Sequence, residues 1–386
     1  MSPIRPEIAA LERSGIARIA VGALDDPDVI PLWFGESDIV TPDFIRAAAI
    51  AAVDRGETFY SNSRGSAPLR QALHRYHQRI YGLDPADERI IVPGSTMLGV
   101  MLSAQCMLGG GDEILLIGPY WPNIGSVSSI CGARTREVRL REGPDRWWLD
   151  MDEVADALTE RTKAVYVNTP SNPTGWIMSV DEQRALLELC RKRGIGIISD
   201  EVYHRNVFSG RNPAPSFFEI AEEDEPVFIV NGFSKGWCMT GWRLGWVIGP
   251  KHLAEPLAVL AECNNTGATV FAQAGGVAAL DEGEAFIATF AERCRTNRDA
   301  INEIIGSHDR VSMLEPEGAF YAFPRIEGVS DSLALARRIL TETRVGLSPG
   351  YTFGINNESH LRLCFAIETG RLTAALERVR GVLDNL

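Results

Sequence analysis

Through the middle of the chain, short apolar runs alternate with amphipathic stretches. The runs 89–93 (RIIVP), 113–118 (EILLIG), 164–169 (AVYVNT), 195–199 (IGIIS), 227–231 (VFIVN) and 244–248 (LGWVI) are rich in Ile and Val, and most lack polar alternation. Strands covered on both faces of a sheet read this way. Between them lie helical signals. Thr41-Pro42 supplies a cap and a first-turn proline, with Gly56 as the stop. Ser179 and Glu182 form a capping box before a second helix, which closes on Arg191, Lys192, Arg193 and Gly194. A further helix is read at 97–108. This alternation predicts an α/β fold with a mainly parallel sheet covered by helices.

After about residue 285 the pattern changes. A long helical stretch (283–307) is followed by EGAFYAFP and LRLCFA, with one helix between these segments and another at the end. That succession predicts a smaller α+β domain. The expected division is a large domain at 46–285 and a small one made of 1–45 and 286–386.

Composition narrows the partners. The 386 residues are 45% hydrophobic and 23% charged, ordinary for a globular protein. The net charge of −13 argues against a nucleic-acid backbone as partner. No run of about 18 or more apolar residues predicts a membrane span, and the charged N-terminal residues lack the apolar core of a signal peptide. The seven scattered cysteines form no C-x-x-C pair, so they read as reduced thiols and not as a zinc site or disulfide framework. The expected location is the cytoplasm.

Four segments carry chemistry. In 231–245 (NGFSKGWCMTGWRLG) a strand ends at Asn231, and Ser234-Lys235 falls in the turn. Phe233, Trp237 and Trp242 would desolvate the lysine, and the nearby Arg243 would further disfavour its charge; both effects lower its pKa and favour an amine nucleophile. Ser234 and Arg243 also offer donors to a phosphate. In 168–175 (NTPSNPTG) a rigid loop presents Asn172 at a strand's carboxyl end, where α/β sheets place ligands. In 197–203 (IISDEVY) Asp200 closes an apolar strand, where a buried carboxylate needs a cationic partner. A pyridinium N–H would be such a partner. In 92–98 (VPGSTML) Gly94, Ser95 and Thr96 open a helix whose N-terminus favours phosphate.

Together with GESD (35–38), FYSNSRGSAPLR (59–70), PYWPN (119–123) and LRLCFA (361–366), these segments resemble the fold-type-I pyridoxal-phosphate aminotransferases of class I/II, the family of the aspartate and aromatic enzymes. The resemblance spans roughly residues 30–370. It implies a seven-stranded sheet, pyridoxal 5'-phosphate as cofactor, and ping-pong amino transfer from an L-amino acid to a 2-oxo acid. It implies that Lys235 carries the Schiff base and shuttles the proton. Asp200 would pair with the ring nitrogen, and Asn172 and Tyr203 would bond the phenolic oxygen. Trp121 would stack on the ring. Gly94, Ser95, Thr96, Ser234 and Arg243 would form the phosphate site. Tyr60 would reach the phosphate of a neighbouring subunit in a homodimer with shared sites. Arg362 would clamp the substrate carboxylate, helped by Gly35 and Asn172.

One departure bears on the substrate. Where similar bacterial aspartate aminotransferases carry a lysine, position 96 is threonine, and Trp33 and Trp121 add aromatic surface. A neutral or aromatic amino acid is therefore expected over a strictly acidic one. Trp147 and Trp148 read as packing residues, and His74 and His77 as surface or hydrogen-bonded histidines without metal partners. Two alternatives stand beside transamination: a carbon–sulfur β-lyase using the same lysine, and a non-catalytic effector-binding protein of the same fold. The second is disfavoured by the acidic charge and by the lack of a DNA-binding pattern in the first 40 residues.

Overall fold

The six apolar runs all become strands, and a seventh joins them. In the computed structural model, which describes residues 3–208 and 210–386, the strands are β1 (Ile90–Gly94), β2 (Glu113–Gly118), β3 (Arg134–Arg139), β4 (Thr162–Asn168), β5 (Gly196–Asp200), β6 (Val227–Gly232) and β7 (Gly245–Ile248). They form one sheet in the order β1-β7-β6-β5-β4-β2-β3. The neighbours from β6 to β3 are parallel, and β7 runs antiparallel to both β1 and β6. β3 lacks an apolar run because it is an edge strand left open to solvent, unlike the buried edge β1: its sequence is RTREVR and its first three residues are exposed. Charged side chains there blunt an open edge.

Both sheet faces are covered. One packs Ile91, Ile114, Tyr166, Ile198 and Val230 beneath the helix Thr96–Met107, and the other packs Val92, Leu115, Val165, Ile197 and Ile229. The helices that matter below are α1 (Gly15–Ala20), α2 (Asp43–Asp54), α3 (Thr96–Met107), α4 (Val180–Arg193) and α5 (Glu284–Ile301). The capping box of α4 forms as read, and Gly194 ends that helix in the left-handed conformation. The long 283–307 pattern resolves into α5 followed by one π-helical turn, Asn302–Gly306.

Thr41 departs from expectation. It does not cap α2, whose N-cap is Pro42. Its hydroxyl instead donates to the Cys238 carbonyl (2.7 Å) and accepts from Trp242 Nε1 (2.9 Å), which pins this segment to the turn after β6.

A separate apolar cluster joins Ile16, Ile19 and Leu32 with Phe290, Phe320, Leu335, Leu363 and Leu376. Its sheet has three strands, β8 (Tyr321–Ala322), β9 (Ser348–Pro349) and β10 (Leu361–Cys364), with β10 in the middle. The N-terminal strand Ile30–Pro31 pairs in parallel with Val345–Gly346. Residues from the two ends of the chain thus meet in one layer.

Candidate functional site

The carboxyl ends of β1, β4, β5 and β6 lie along one edge of the large sheet. Because β7 runs antiparallel, its first residues return to that same edge, with Gly245 in register with both Gly94 and Gly232. These glycines permit a close approach. A Cβ on Gly232 would stand 2.1 Å from Thr96 Oγ1, and one on Gly245 would stand 2.7 Å from the Thr96 nitrogen. The N-terminus of α3 therefore seats directly on the strand ends. Ser95 Oγ accepts from the Leu98 N–H (3.2 Å), which leaves its proton free to be donated. A helix N-terminus with hydroxyls beside it suits a phosphate.

β4 and β5 fix the next two groups. Asn168 stands opposite Asp200, and its amide donates to the Asp200 carbonyl (2.8 Å). Asn168 Oδ1 in turn accepts from the Asn172 N–H (2.7 Å), which shapes the loop after β4. Asn172 Oδ1 accepts from Arg362 Nη1 (3.1 Å), so its amide N–H groups remain as donors. The Asp200 carboxylate is buried and accepts from Tyr166 Oη (2.9 Å) and the Val202 N–H (3.3 Å). Among the described residues no cation pairs with it. Burial pushes its pKa up to about 6, against the opposing effect of those two donors and the charge of Lys235.

Lys235, in the turn after β6, donates to the Gly35 carbonyl at 2.5 Å. Burial lowers its pKa to about 8, opposed by Cys364 and Glu36. The arginine that opposes its charge is Arg362 across the cleft, and not Arg243 as the sequence spacing suggests. Arg243 turns its guanidinium to the Thr240 carbonyl (2.6 Å) and stays exposed at the cleft wall.

Arg362, on β10, is 2% exposed and lies between the rings of Tyr321 (4.6 Å) and Phe353 (5.0 Å). It donates to the Trp33 carbonyl and to Ser348 Oγ, while its buried Nε has no protein partner. Tyr203 and Tyr321 join their hydroxyls at 2.7 Å. One phenol donates to the other, so a single proton of the pair stays available to the cleft.

These groups surround one cleft of about 300 Å³. Of the residues singled out from sequence, Gly35, Thr96, Trp121, Asn172, Asp200, Tyr203, Ser234, Lys235, Arg243 and Arg362 all line it. Gly94 and Ser95, which precede Thr96 at the start of α3, do not line it. Tyr60 does not reach it: this side chain is 92% exposed, beside Phe59 and Phe271 on another face. Sequence reasoning missed Tyr166 and Tyr321. Tyr166 shares a strand face with Asn168 by the two-residue period, which is the signal that could have found it. Outside the cleft, Trp147 is buried, Trp148 lies under Arg141, and His77 is buried with a bond to the Leu73 carbonyl.

Glu201, next to Asp200, points away from the cleft. It is 1% exposed and accepts from Ser199 Oγ (2.9 Å) and the Phe217 N–H (3.1 Å). Burial raises its pKa from 4.5 to about 7. The folded protein then holds this proton more tightly than the unfolded chain, so its contribution to stability falls as pH rises through that interval. Glu201→Gln should gain stability relative to the parent protein between pH 5 and pH 8. Denaturant midpoints at the two pH values check this; a parallel pH response of parent and variant would refute it.

The residues present fit pyridoxal phosphate on chemical grounds. A buried carboxylate without a cation faces an amine of depressed pKa, and hydroxyls with a helix N-terminus stand at the far end. A family model described as aminotransferase class I and II matches residues 27–379. An aspartate aminotransferase of Geobacillus stearothermophilus is 32% identical over 368 residues, covering 92% of each chain. Among solved structures, the aspartate aminotransferase of Thermus thermophilus with maleate superposes with a TM-score of 0.91 at 30% identity, covering 99% of this chain and 100% of that one. An alanine aminotransferase of Pyrococcus furiosus gives 0.92 at 27% identity, with the same coverage.

Proposed function

This chain belongs to the class I and II aminotransferases, and on that premise we propose that its cleft transfers amino groups from neutral or aromatic L-amino acids to 2-oxo acids through Lys235. The protein is a pyridoxal-phosphate-dependent transaminase. When bound, the cofactor supplies an electrophilic carbon for the amino group and a ring that draws electrons from the substrate α-carbon.

The chain's own residues divide the remaining work. Lys235 Nζ is the amine that would hold the cofactor, and in its neutral form it is the group that would take the proton from the substrate α-carbon. Asp200 would hold the proton on the ring nitrogen. The amide of Asn172 and the Tyr203–Tyr321 pair would donate to the phenolic oxygen, and Trp121 would cover the ring. Ser95, Thr96, Ser234 and Arg243, with Gly94 allowing the turn, bind the phosphate. Arg362 grips the substrate carboxylate beside Gly35 and Asn172.

The substrate preference rests on one observation. Among the described residues lining the cleft, the cations are Lys235, Arg243 and Arg362. Each already has a task, so none is left for a side-chain carboxylate. The walls are apolar, with Trp33, Phe34, Trp121, Ile16 and Met97. The exposed pair Phe59 and Tyr60 beside Phe271 supports a second copy docking there, with Tyr60 completing the partner's phosphate site. The division into 46–285 and 1–45 with 286–386 draws support from the separate apolar clusters. Among the described residues no helix is long and apolar enough to cross a membrane. The seven free cysteines support a reducing, cytoplasmic setting.

The test mixes purified holoenzyme with single amino acids and no acceptor, and follows conversion of the cofactor's aldehyde to its amine form by visible absorption. Neutral or aromatic donors should convert it faster than aspartate. If aspartate or glutamate proved the best donor, the preference would be wrong. Pyruvate and ammonia released from cysteine conjugates without an oxo acid would replace transamination with β-elimination.

A further inference from the structure

Tyr166 sits on β4, two residues before the strand ends at Asn168, and is fully buried. It packs in the apolar layer under α3 with Ile114, Ile198 and Val230. A phenylalanine would fill that layer equally well. A buried hydroxyl is costly unless it finds a partner, and the partner here is Asp200 Oδ2 at 2.9 Å on the adjacent strand. Parallel register explains the contact. Tyr166 pairs with Ile198 and Asn168 with Asp200, so Tyr166 and Asp200 share a sheet face, and the long phenol reaches along it to the strand end.

We propose that Tyr166 is a positioning residue for the reaction, whose phenol holds the Asp200 carboxylate oriented and ionised toward the cofactor's ring nitrogen. The main chain of Asp200 is fixed separately, since its carbonyl accepts from Asn168 Nδ2 (2.8 Å) and the Thr169 N–H (3.0 Å). Among the described residues the carboxylate has two donors, Tyr166 Oη from beneath and the Val202 N–H from beside. With Oδ2 engaged by Tyr166, the carboxylate keeps acceptor capacity for a group in the cleft that it lines. Tyr166 serves as a donor throughout, because burial and the neighbouring carboxylate push its own pKa well above the phenol's ordinary value. The other titratable groups that sense Asp200 are Lys235, Tyr203 and Tyr321. Of these, only Lys235 carries a positive charge.

The inference rests on the assignment of Asp200 to the cofactor, and the test separates the two. Cofactor dissociation constants are measured by equilibrium dialysis, starting from purified holoenzyme, for the parent protein, Tyr166→Phe, Asp200→Ala and the double variant. Circular dichroism confirms that each is folded. Tyr166→Phe should weaken cofactor binding by about tenfold or more, the effect of losing one hydrogen bond to a charged group. In the Asp200→Ala background the same change should cost less than about twofold, since a contact acting through Asp200 has nothing left to act on. If Asp200→Ala itself leaves binding unchanged, the assignment of Asp200 fails and the inference falls with it. If Asp200→Ala weakens binding and Tyr166→Phe does not, the inference alone is overturned. Equal losses from Tyr166→Phe in both backgrounds would mark Tyr166 as packing only, and would also overturn it.

Discussion

Lys235→Ala is expected to lower kcat for amino transfer by about 10⁴-fold or more, because on the proposed mechanism one side chain is both attachment point and proton carrier. The geometry leaves no substitute. The other cations lining the cleft are Arg243 and Arg362, and a guanidinium does not give up its proton in a protein. Burial brings the lysine's pKa down to about 8, so an appreciable fraction of the amine is neutral near physiological pH. Its contact with the Gly35 carbonyl holds it at the cleft floor while it waits. Lys235→Arg keeps a positive charge without a free electron pair and should fall as far as alanine. Steady-state rates on variants shown to be folded would decide. A variant within about tenfold of the parent would remove Lys235 from the chemistry, since acid–base catalysis alone is worth more than that.

Arg362→Ala should reduce kcat/KM for α-amino acids by roughly 10²–10³-fold, the scale of a buried charge pair losing one partner. Stacking between Tyr321 and Phe353 fixes the guanidinium plane, and Asn172, Ser348 and the Trp33 carbonyl accept from three of its four Nη–H groups. Nε is left buried without a protein partner, a costly state that a substrate carboxylate could relieve. Arg362→Lys should recover only part of the loss, because an ammonium lacks the planar fork. The control is an amine without the carboxylate. Its slow turnover should be the same with and without Arg362, whereas a general collapse of the site would lower both.

Much of this was legible from residue order. The six apolar strands and the capping box of α4 follow from local rules, and ten of the marked residues line one cleft because strand ends gather where the sheet is parallel. What could not be read was lateral. β3 hides behind charged residues because it is an edge. Thr41 looks like a cap until Trp242, 201 residues away, claims its hydroxyl. Arg243 lies near Lys235 in sequence, yet the arginine that lowers the lysine's pKa is Arg362. Tyr166 lies inside an apolar run, and its one polar contact depends on the register between β4 and β5. Each miss involves a contact set by strand register or by layer packing, which spacing along the chain does not encode.

The placement of Arg362 on β10 also sets an order of events during biosynthesis. Its partner at Trp33 leaves the ribosome 329 residues earlier, and the residues proposed for the phosphate and the ring nitrogen, from Gly94 to Arg243, are translated before it. Domains generally fold as units while the chain emerges. On the proposed roles, a nascent chain that has passed Arg243 carries its own groups for the cofactor's phosphate and ring nitrogen before it carries any for the amino acid's carboxylate.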